Sequence, residues 1–246
     1  MNSKERFYPE AKFGGFTNID GTMAFYCRIH SLLDSSSVAL DVGCGRGELK
    51  DDPIPFRRNL RIIKGKVAKV IGIDVDQEAQ TNPFIDEFHL IKGESWPLEG
   101  DSVDLIICDS VIEHIPDPDQ FFLEICRVLK NGGYLCIRTP NQWGYPAIAA
   151  KLIPNKYHSK VTSFAQDDRK EEDVFLTFYR CNSIRRLRNA MARNRFDSAV
   201  FGYESEPAYL SFSKIAYSLG VLYQKLSPGF MKTTIFAFGK IKKDTV

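Results

Sequence analysis

Short runs of branched apolar residues alternate with amphipathic stretches along the first 140 residues. Between the last two of these runs, Asp119–Leu129 places apolar side chains at helical spacing, and Asn131–Gly133 supplies the residue types of a left-handed helix C-cap. Strands that are separated by helices pair in parallel through right-handed crossovers. The pattern therefore predicts an α/β fold with an open, mostly parallel sheet and helices on both faces. The predicted strands are Val38–Val42, Lys69–Asp74, Phe88–Ile91, Val103–Cys108 and Tyr134–Arg138.

The pattern loosens after Asn141 and then becomes regular again. Residues 142–181 are expected to form an inserted lid or substrate segment, because Gln142–Glu172 mixes aromatic, proline and charged residues without a steady period. Two further strands, a helix capped by Asn182 or Ser183, and an aromatic amphipathic helix or helix pair are predicted beyond it. These elements are Asn182–Asn194 (helix), Phe196–Tyr203 (strand), Pro207–Leu226 (helix or pair) and Thr233–Lys240 (strand).

Length and composition limit the function classes. The 246 residues fit one domain with insertions better than two full domains. Hydrophobic residues at 43% and charged residues at 26% exclude collagen-like and disordered classes for the whole chain. The formal net charge is only +2, from 33 basic and 31 acidic residues, which argues against a protein whose main task is to coat nucleic acid.

The six cysteines are widely spaced and include no C-x-x-C pair, which argues against a zinc site and a disulfide framework. We expect them to be buried, reduced thiols of a cytoplasmic protein. Met1–Phe13 lacks the apolar stretch of a signal peptide, and no run reaches about 18 apolar residues, so no transmembrane segment is expected. Aromatic residues within Ala208–Leu226 leave three uses open: packing over the sheet, a homodimer interface or peripheral membrane contact.

A glycine-rich loop follows the first strand directly. Its Gly43-x-Gly45-x-Gly47 spacing differs from the dinucleotide fingerprint, and Asp41 precedes it. An acid at this place suits an ammonium or sulfonium group better than a diphosphate. Asp74 ends the second strand, where a carboxylate can hold both hydroxyls of a ribose. Together these features predict an adenosyl ligand without a diphosphate.

At this point the chain resembles the class I S-adenosylmethionine-dependent methyltransferases, and it looks closest to the ubiquinone-biosynthesis-like O-methyltransferase branch. The resemblance implies a Rossmann-like sheet of seven strands, S-adenosyl-L-methionine as the cofactor, and a small-molecule, glycan or lipid-linked acceptor that is methylated at oxygen. It also implies one methyltransferase domain over 1–246, with an N-terminal cofactor-covering segment (1–37), a donor-binding core (38–141), the lid insertion (142–181) and a C-terminal half (182–246). The matching stretches are Val38–Gly47, Val70–Asp76, Ser102–Pro118 and Phe122–Gly133.

The resemblance also assigns cofactor-binding roles. Asp41, Gly43, Cys44 and Gly45 are expected to face the methionine portion, and Gly47 to permit the turn into the first helix. Asp74 is expected to hold the ribose and Val75 to pack on the adenine, with Glu94, Ser95 and Trp96 at the adenine edge. Asp109 and Ser110 follow the fourth strand, at the carboxyl edge of the sheet where open α/β folds collect ligands. Arg28, upstream of the sheet, is expected to reach the cofactor carboxylate.

Glu113 and His114 are the candidate catalytic residues. Methyl transfer to a hydroxyl needs positioning and a base, and a histidine titrates near neutral pH. The alternative is that His114 only orients its loop. Some metal-using relatives carry another glutamate three residues before Glu113, where this chain has Ser110, so no metal is expected.

Two rival functions remain open at this stage. An RNA methyltransferase is suggested by the arginine-rich stretch 180–195, although Asp109–Ile112 occupies the place of the Asn-Pro-Pro-Tyr-type loop of base-methylating enzymes. A cofactor-binding protein without turnover is the second rival. The sequence leaves monomer and homodimer equally open.

Overall fold

A computed structural model describes residues 3–152 and 176–243. Seven strands of the described chain form one sheet: β1 Val38–Val42, β2 Lys69–Asp74, β3 Glu87–Leu90, β4 Val103–Asp109, β5 Leu129–Pro140, β6 Phe196–Tyr203 and β7 Thr234–Ile241. Their order across the sheet is β3-β2-β1-β4-β5-β7-β6. The first five strands pair in parallel, and β7 runs antiparallel to both β5 and β6. This arrangement confirms the predicted open, mostly parallel sheet.

Helices cover both faces of the sheet, because the strands are apolar on both sides. The α-helices are α1 Ser3–Phe7, α2 Gly21–His30, α3 Pro55–Arg61, α4 Pro118–Val128, α5 Tyr145–Leu152, α6 Ile184–Arg193 and α7 Lys214–Leu226. The core on one face includes Leu40, Ile106 and Leu135 and is covered by α4 and α6. The core on the other face includes Ala39 and Leu105, from the alternate strand positions, and is covered by α2 and α3.

Local sequence signals explain where the helices start. The Asp117 side chain caps α4 by accepting hydrogen bonds from the backbone N–H groups of Asp119 and Gln120. Ser183, rather than Asn182, caps α6, because its side chain accepts from the Arg186 N–H. The Pro207–Leu226 stretch is a helix pair, with a short 3-10 turn at Ala208–Leu210 followed by α7.

The predicted glycine C-cap after α4 is wrong. The helix ends at Val128, and Leu129 is already extended with φ −75° and ψ 130°. Asn131–Gly133 instead lies inside β5, where Gly132 has φ +80°. A Cβ at Gly133 would stand 2.9 Å from the Asp104 carbonyl oxygen. The glycines therefore permit a close strand approach, at an irregular start of the β4–β5 pairing, rather than ending the helix.

The predicted lid segment 142–181 falls mostly outside the described residues, which include only 142–152 and 176–181 of it. The six cysteines are free thiols as expected. Cys44, Cys108, Cys136 and Cys181 are buried, but Cys126 is half-buried and Cys27 is exposed, so burial does not hold for all of them.

Candidate active site at the carboxyl edge of the sheet

The glycine loop after β1 packs against the loop after β4. Gly43 has φ +65°, and a Cβ there would lie 2.8 Å from Cγ2 of Val111. Gly47 has φ +84°, and a Cβ there would lie 2.9 Å from Cδ of Pro83. Both positions combine left-handed backbone with close packing, which only glycine tolerates without strain. A 3-10 turn, Glu48–Asp51, follows the loop instead of the α-helix that the sequence predicts there.

The backbone N–H groups of this loop are used inside the protein. The Gly43 N–H donates to the Ile73 carbonyl at 2.8 Å, the Gly45 N–H to Oδ2 of Asp74 at 3.0 Å, and the Arg46 N–H to Oε1 of Glu48 at 3.0 Å. A diphosphate loop directs such N–H groups at its ligand. Here two carboxylates occupy that place, which favours a ligand without a diphosphate.

A cavity of about 160 Å³ opens beneath the loop, on the sheet face covered by α2 and α3. It brings together six residues that were predicted to bind the cofactor: Asp41, Gly43, Cys44, Gly45, Gly47 and Asp109. Glu48 adds a third carboxylate, and Arg61 contributes a guanidinium. The cavity wall therefore combines carboxyl groups with a guanidinium and suits a ligand that carries both cationic groups and a carboxylate. The other lining residues are Tyr26, Leu49, Ile63, Val70, Asn82, Phe84 and Ile107.

Asp109 is held in place by three hydrogen bonds from two side chains. Arg138 donates to Oδ1 from Nε at 2.6 Å and to Oδ2 from Nη2 at 2.5 Å, and the Tyr26 hydroxyl donates to Oδ2 at 3.1 Å. Burial pushes the pKa of Asp109 upward, but the Arg138 charge and hydrogen bonds outweigh it, so the net pKa lies below the usual value. Arg138 also donates to Oγ1 of Thr22 at 2.7 Å, which ties α2 over the sheet.

Asp41 has a different environment from Asp109. It is half-buried in the cavity wall, and burial first, then the neighbouring Asp109 charge, raise its pKa to about 7. Arg61 acts in the opposite direction but does not cancel these effects. A cationic group bound beside Asp41 would favour its ionised form. The site is therefore suited to the ammonium of a methionine portion.

Arg61 is a functional candidate that the sequence reasoning missed. It ends α3 and lines the cavity, and its buried Nε has no hydrogen-bond partner among the described residues. Its guanidinium carbon lies 5.9 Å from the centre of the Tyr26 ring. An orphaned cationic donor in a cavity fits a carboxylate ligand. Arg28, which was expected to serve this purpose, is exposed and lies 5.8 Å over the Phe238 ring, so that expectation is corrected.

Asp74 joins the first two loops of this edge. Its buried carboxylate accepts from the Gly45 N–H through Oδ2 and from the Asp76 N–H through Oδ1, at 3.0 and 2.9 Å. Each carboxylate oxygen has a second lone-pair direction, so these bonds leave capacity for a ribose hydroxyl. Val75 follows with 62% exposure, an apolar side chain presented to solvent.

The three residues predicted at the adenine edge have different surroundings. Glu94 and Ser95 are exposed, as ligand contacts would be. Trp96 is buried in the core beneath α4 with its indole edge-on to Phe121 at 5.5 Å, and its backbone N–H donates to Oε2 of Glu124 at 2.6 Å. The expectation is therefore wrong for the Trp96 side chain, which packs in the core, whereas a contact from the Trp96 backbone to the adenine stays a prediction.

The β4 loop carries Ser110, Glu113 and His114. Ser110 is exposed and adopts φ +62°, a conformation that is uncommon for a side-chain-bearing residue. Glu113 is buried and accepts a hydrogen bond from Oγ1 of Thr139 at 2.9 Å, and burial raises its pKa. Nδ1 of His114 lies 3.0 Å from the Leu176 carbonyl oxygen. A carbonyl oxygen only accepts, so this contact places the proton on Nδ1 and the lone pair on Nε2.

Glu113 and His114 do not line the cavity beneath the glycine loop. Glu113 faces inward, and its backbone carbonyl also accepts from the N–H groups of Phe178 and Tyr179 at 2.8 and 3.2 Å. This arrangement gives Glu113 a positioning role for its loop. Within residues 3–152 and 176–243, no three His, Cys, Asp or Glu side chains converge as metal ligands. No helix in those same residues is both long and apolar enough to cross a membrane.

Comparison with known proteins identifies the relatives of this fold and site. A family model described as "Methyltransferase domain" matches residues 33–177, more than half of the chain. A "Ubiquinone biosynthesis O-methyltransferase" of Bartonella tribocorum is 32% identical over 120 residues, covering 46% of this chain and 47% of the relative. A "Probable S-adenosylmethionine-dependent methyltransferase" of Mycolicibacterium smegmatis is 34% identical over 108 residues, covering 42% and 38%. The matched region therefore spans less than half the length of these curated relatives.

A solved structure supports the same fold along almost the whole chain. A SAM-dependent methyltransferase from Archaeoglobus fulgidus superposes with a TM-score of 0.53 over 96% of this chain and 99% of its own, at 17% identity. At that identity the likeness concerns the fold, and the arrangement of individual residues carries the functional reasoning.

Proposed function

Since the chain belongs to the methyltransferase-domain family, we propose that it transfers a methyl group from S-adenosyl-L-methionine to an oxygen of a small-molecule, glycan or lipid-linked acceptor. The acid-rich cavity with the orphaned Arg61 Nε carries this proposal. Three carboxylates and one guanidinium suit a ligand that bears an ammonium, a sulfonium and a carboxylate at once.

Each part of the cofactor has a matching group. Asp41 holds the ammonium of the methionine portion, and Arg61 holds its carboxylate. Asp74 accepts the ribose hydroxyls, and the exposed Val75 covers the adenine. The left-handed glycines keep the loop backbone close enough for the ligand to lie across it. The cofactor, when bound, would supply a methyl group on a sulfonium, and its leaving group would be the neutral thioether of S-adenosylhomocysteine.

His114 serves as the base for the acceptor hydroxyl. The contact between Nδ1 and the Leu176 carbonyl fixes the tautomer that has its lone pair on Nε2. Nε2 would take the proton that the acceptor hydroxyl loses on methylation, and His114 would carry it as an imidazolium. Glu113 and Thr139 hold the loop from which His114 projects.

The oxygen acceptor is supported by the names of the ubiquinone-biosynthesis relatives. An RNA acceptor is less well supported, because a basic groove lies at the opposite edge of the sheet and four of its cations are ion-paired. The pairs are Arg127–Glu124, Arg193–Asp119, Lys242–Asp197 and Lys243–Asp101.

Calorimetry with two ligands tests the cofactor site. S-adenosylhomocysteine carries the amino acid portion, whereas 5′-methylthioadenosine lacks it. We expect Arg61→Gln to weaken S-adenosylhomocysteine binding at least tenfold and to leave methylthioadenosine binding unchanged, while Asp74→Asn weakens both. Equal losses for the two ligands in Arg61→Gln would refute the carboxylate assignment.

Turnover is tested by S-adenosylhomocysteine production. Extracts separated into lipid, small-molecule, glycan and RNA fractions are supplied as acceptors with S-adenosylmethionine. A product in a lipid or small-molecule fraction whose new methyl group is located on oxygen by NMR supports the proposal, and a methyl group on nitrogen or carbon refutes the oxygen assignment. Tight cofactor binding with no methyl transfer to any fraction would favour the non-catalytic alternative.

A further inference from the structure

The outer face of α7 carries an exposed apolar stripe. Ile215, Leu219, Leu222 and Leu226 are 76%, 61%, 53% and 71% exposed. Their spacing of four, three and four residues places them on one side of the helix. The opposite side, with Tyr217 and Val221, is buried against the fold, and Tyr8 and Tyr217 belong to one small core cluster. The helix is thus apolar on two sides, and the fold uses one of them.

Two exposed aromatic residues flank the helix along the chain. Phe212 precedes α7 and is 62% exposed, and Phe230 follows it and is 60% exposed. Single exposed apolar residues are common on protein surfaces, but a contiguous group marks an interaction site. We call the six residues the α7 apolar face: Phe212, Ile215, Leu219, Leu222, Leu226 and Phe230.

Sheet topology puts this face at the same edge as the candidate active site. Because β5 and β6 are both antiparallel to β7, they run parallel to each other. The connection from the end of β6 to the start of β7, which contains α7, therefore lies where the parallel strands end. The glycine loop lies at that edge as well. The rings of Tyr145 in α5 and Tyr223 in α7 meet edge-on at 5.1 Å, which links α7 to the segment that leaves β5.

The segment that carries the face has charges of one sign. Residues 207–232 contain three lysines and no aspartate or glutamate, although the chain as a whole is nearly balanced. Lys214 and Lys225 lie eleven residues apart, three helical turns, on one flank of the apolar stripe, and Lys232 follows Phe230. Lysine stems can lie along an apolar surface while the ammonium groups reach outward. Apolar side chains flanked by lysines form the pattern of a helix that lies in the headgroup region of an anionic bilayer.

We propose that the α7 apolar face docks on an anionic lipid bilayer and thereby presents the active edge to a membrane-borne acceptor. The part of this proposal that concerns the acceptor rests on the function proposed above, whereas the docking does not. The bilayer would remove the apolar side chains from water, and the anionic headgroups would attract the flanking lysines.

Vesicle sedimentation of the full chain tests the docking. Vesicles of phosphatidylcholine with phosphatidylglycerol are compared with vesicles of phosphatidylcholine alone. We expect binding to the anionic vesicles, a loss of at least tenfold in Leu219→Glu/Leu222→Glu, and a loss of about tenfold with weaker salt dependence in Lys214→Glu/Lys225→Glu. Leu123→Glu is the matched control, since Leu123 is 59% exposed on α4 and should leave vesicle binding unchanged.

The result that would overturn the docking is distinct from a failure of the methyltransferase proposal. No binding to anionic vesicles, or equal binding by wild type and Leu219→Glu/Leu222→Glu, refutes it. A dimer in sedimentation equilibrium that the same variant dissociates also refutes it and assigns the face to a second copy. S-adenosylhomocysteine affinity, measured in parallel, should be the same in all α7 variants, so a lost cofactor site would be recognised separately.

Discussion

Asp41→Asn separates the contributions of one side chain to folding and to cofactor binding. The carboxyl group stands in the cavity wall, where burial and the Asp109 charge raise its pKa from 3.8 to about 7. Asparagine keeps the size of the side chain and removes its ionisation. The substitution should therefore change both the pH dependence of stability and the affinity for a cationic ligand.

The sign follows from proton uptake. Between about pH 4 and pH 7 the folded protein keeps a proton on Asp41 that the unfolded chain has released, so the free energy of unfolding falls as the pH rises through this range. A shift of roughly 3 units at about 1.4 kcal/mol per unit gives a ceiling of about 4 kcal/mol. Residual hydration of the half-buried group lowers this to about 2–4 kcal/mol. Asp41→Asn should be more stable than wild type by that amount at pH 8 and nearly equal to it at pH 4.

Binding should change in the opposite direction. Loss of the ionised carboxylate removes a charge-assisted contact to the cofactor ammonium, which costs about 1.5–3 kcal/mol. In wild type, the affinity for S-adenosylmethionine should rise between pH 6 and pH 8 as Asp41 ionises, and this rise should disappear in Asp41→Asn. Urea unfolding from pH 4 to 8 and calorimetry at pH 6, 7 and 8 measure the two effects.

Asp104→Asn is the control, because Asp104 lies at the far edge of the sheet and pairs with Lys130 at 2.9 Å. That variant should gain no stability at pH 8 and should bind the cofactor as wild type does. Identical pH dependence of unfolding in wild type and Asp41→Asn would refute the raised pKa. An unchanged affinity in Asp41→Asn would remove Asp41 from the cofactor site.

Three further predictions test neighbouring groups. Asp109→Asn leaves the Arg138 charge buried without its partner, so we expect the free energy of unfolding in urea to fall by about 3–5 kcal/mol at pH 7. The difference from wild type should shrink in acid, because wild type itself loses this stabilisation as the pH falls through the lowered pKa of Asp109. Arg61→Gln should change stability by less than about 1 kcal/mol, because its buried Nε forms no hydrogen bond in the described structure; a large loss would show a structural role instead. His114→Ala should lower turnover about 10²-fold while S-adenosylhomocysteine affinity stays within about twofold, and wild-type turnover would exclude it as the base.

The strands were predictable because their signals are local and repeated. The bounds of β1, β2 and β6 agree with the predicted ones to the residue, since branched apolar runs between polar breaks leave little choice. The glycine loop was predictable for a similar reason, because left-handed turns restrict the residue type at each position. Asn131–Gly133 shows the limit of such signals, because the same residues suit a helix cap and a close strand contact. Only the pairing of β4 with β5 decides between them.

The site was less predictable where side chains are recruited from segments without a fixed spacing. Trp96 belongs to the predicted adenine edge, yet its side chain packs against Phe121 and its backbone N–H donates to Glu124, both in a later helix. Arg61 lies in the segment between Glu48 and Val67, where the sequence gives a basic cluster but no register relative to the sheet. Its position depends on how α3 packs under α2, with Arg57 donating to Asp20 and Asp52 at 2.7 Å.

The anchoring of α3 also determines what Arg61 can bind. Arg57 fixes α3 through two carboxylates, Asp20 at the N-cap of α2 and Asp52 just before α3. Arg61 lies one turn later and faces the cavity, where its Nε has no hydrogen-bond partner among the described residues. Two arginines of one short helix thus have different surroundings: the first is fully paired and positions the helix, and the second retains hydrogen-bonding capacity for a ligand. A carboxylate that enters the cavity would pair with Arg61 but would add a negative charge beside Asp41 and Glu48. A ligand that also carries cationic groups offsets that charge. A zwitterionic amino acid portion meets both conditions, whereas a simple anion meets only the first.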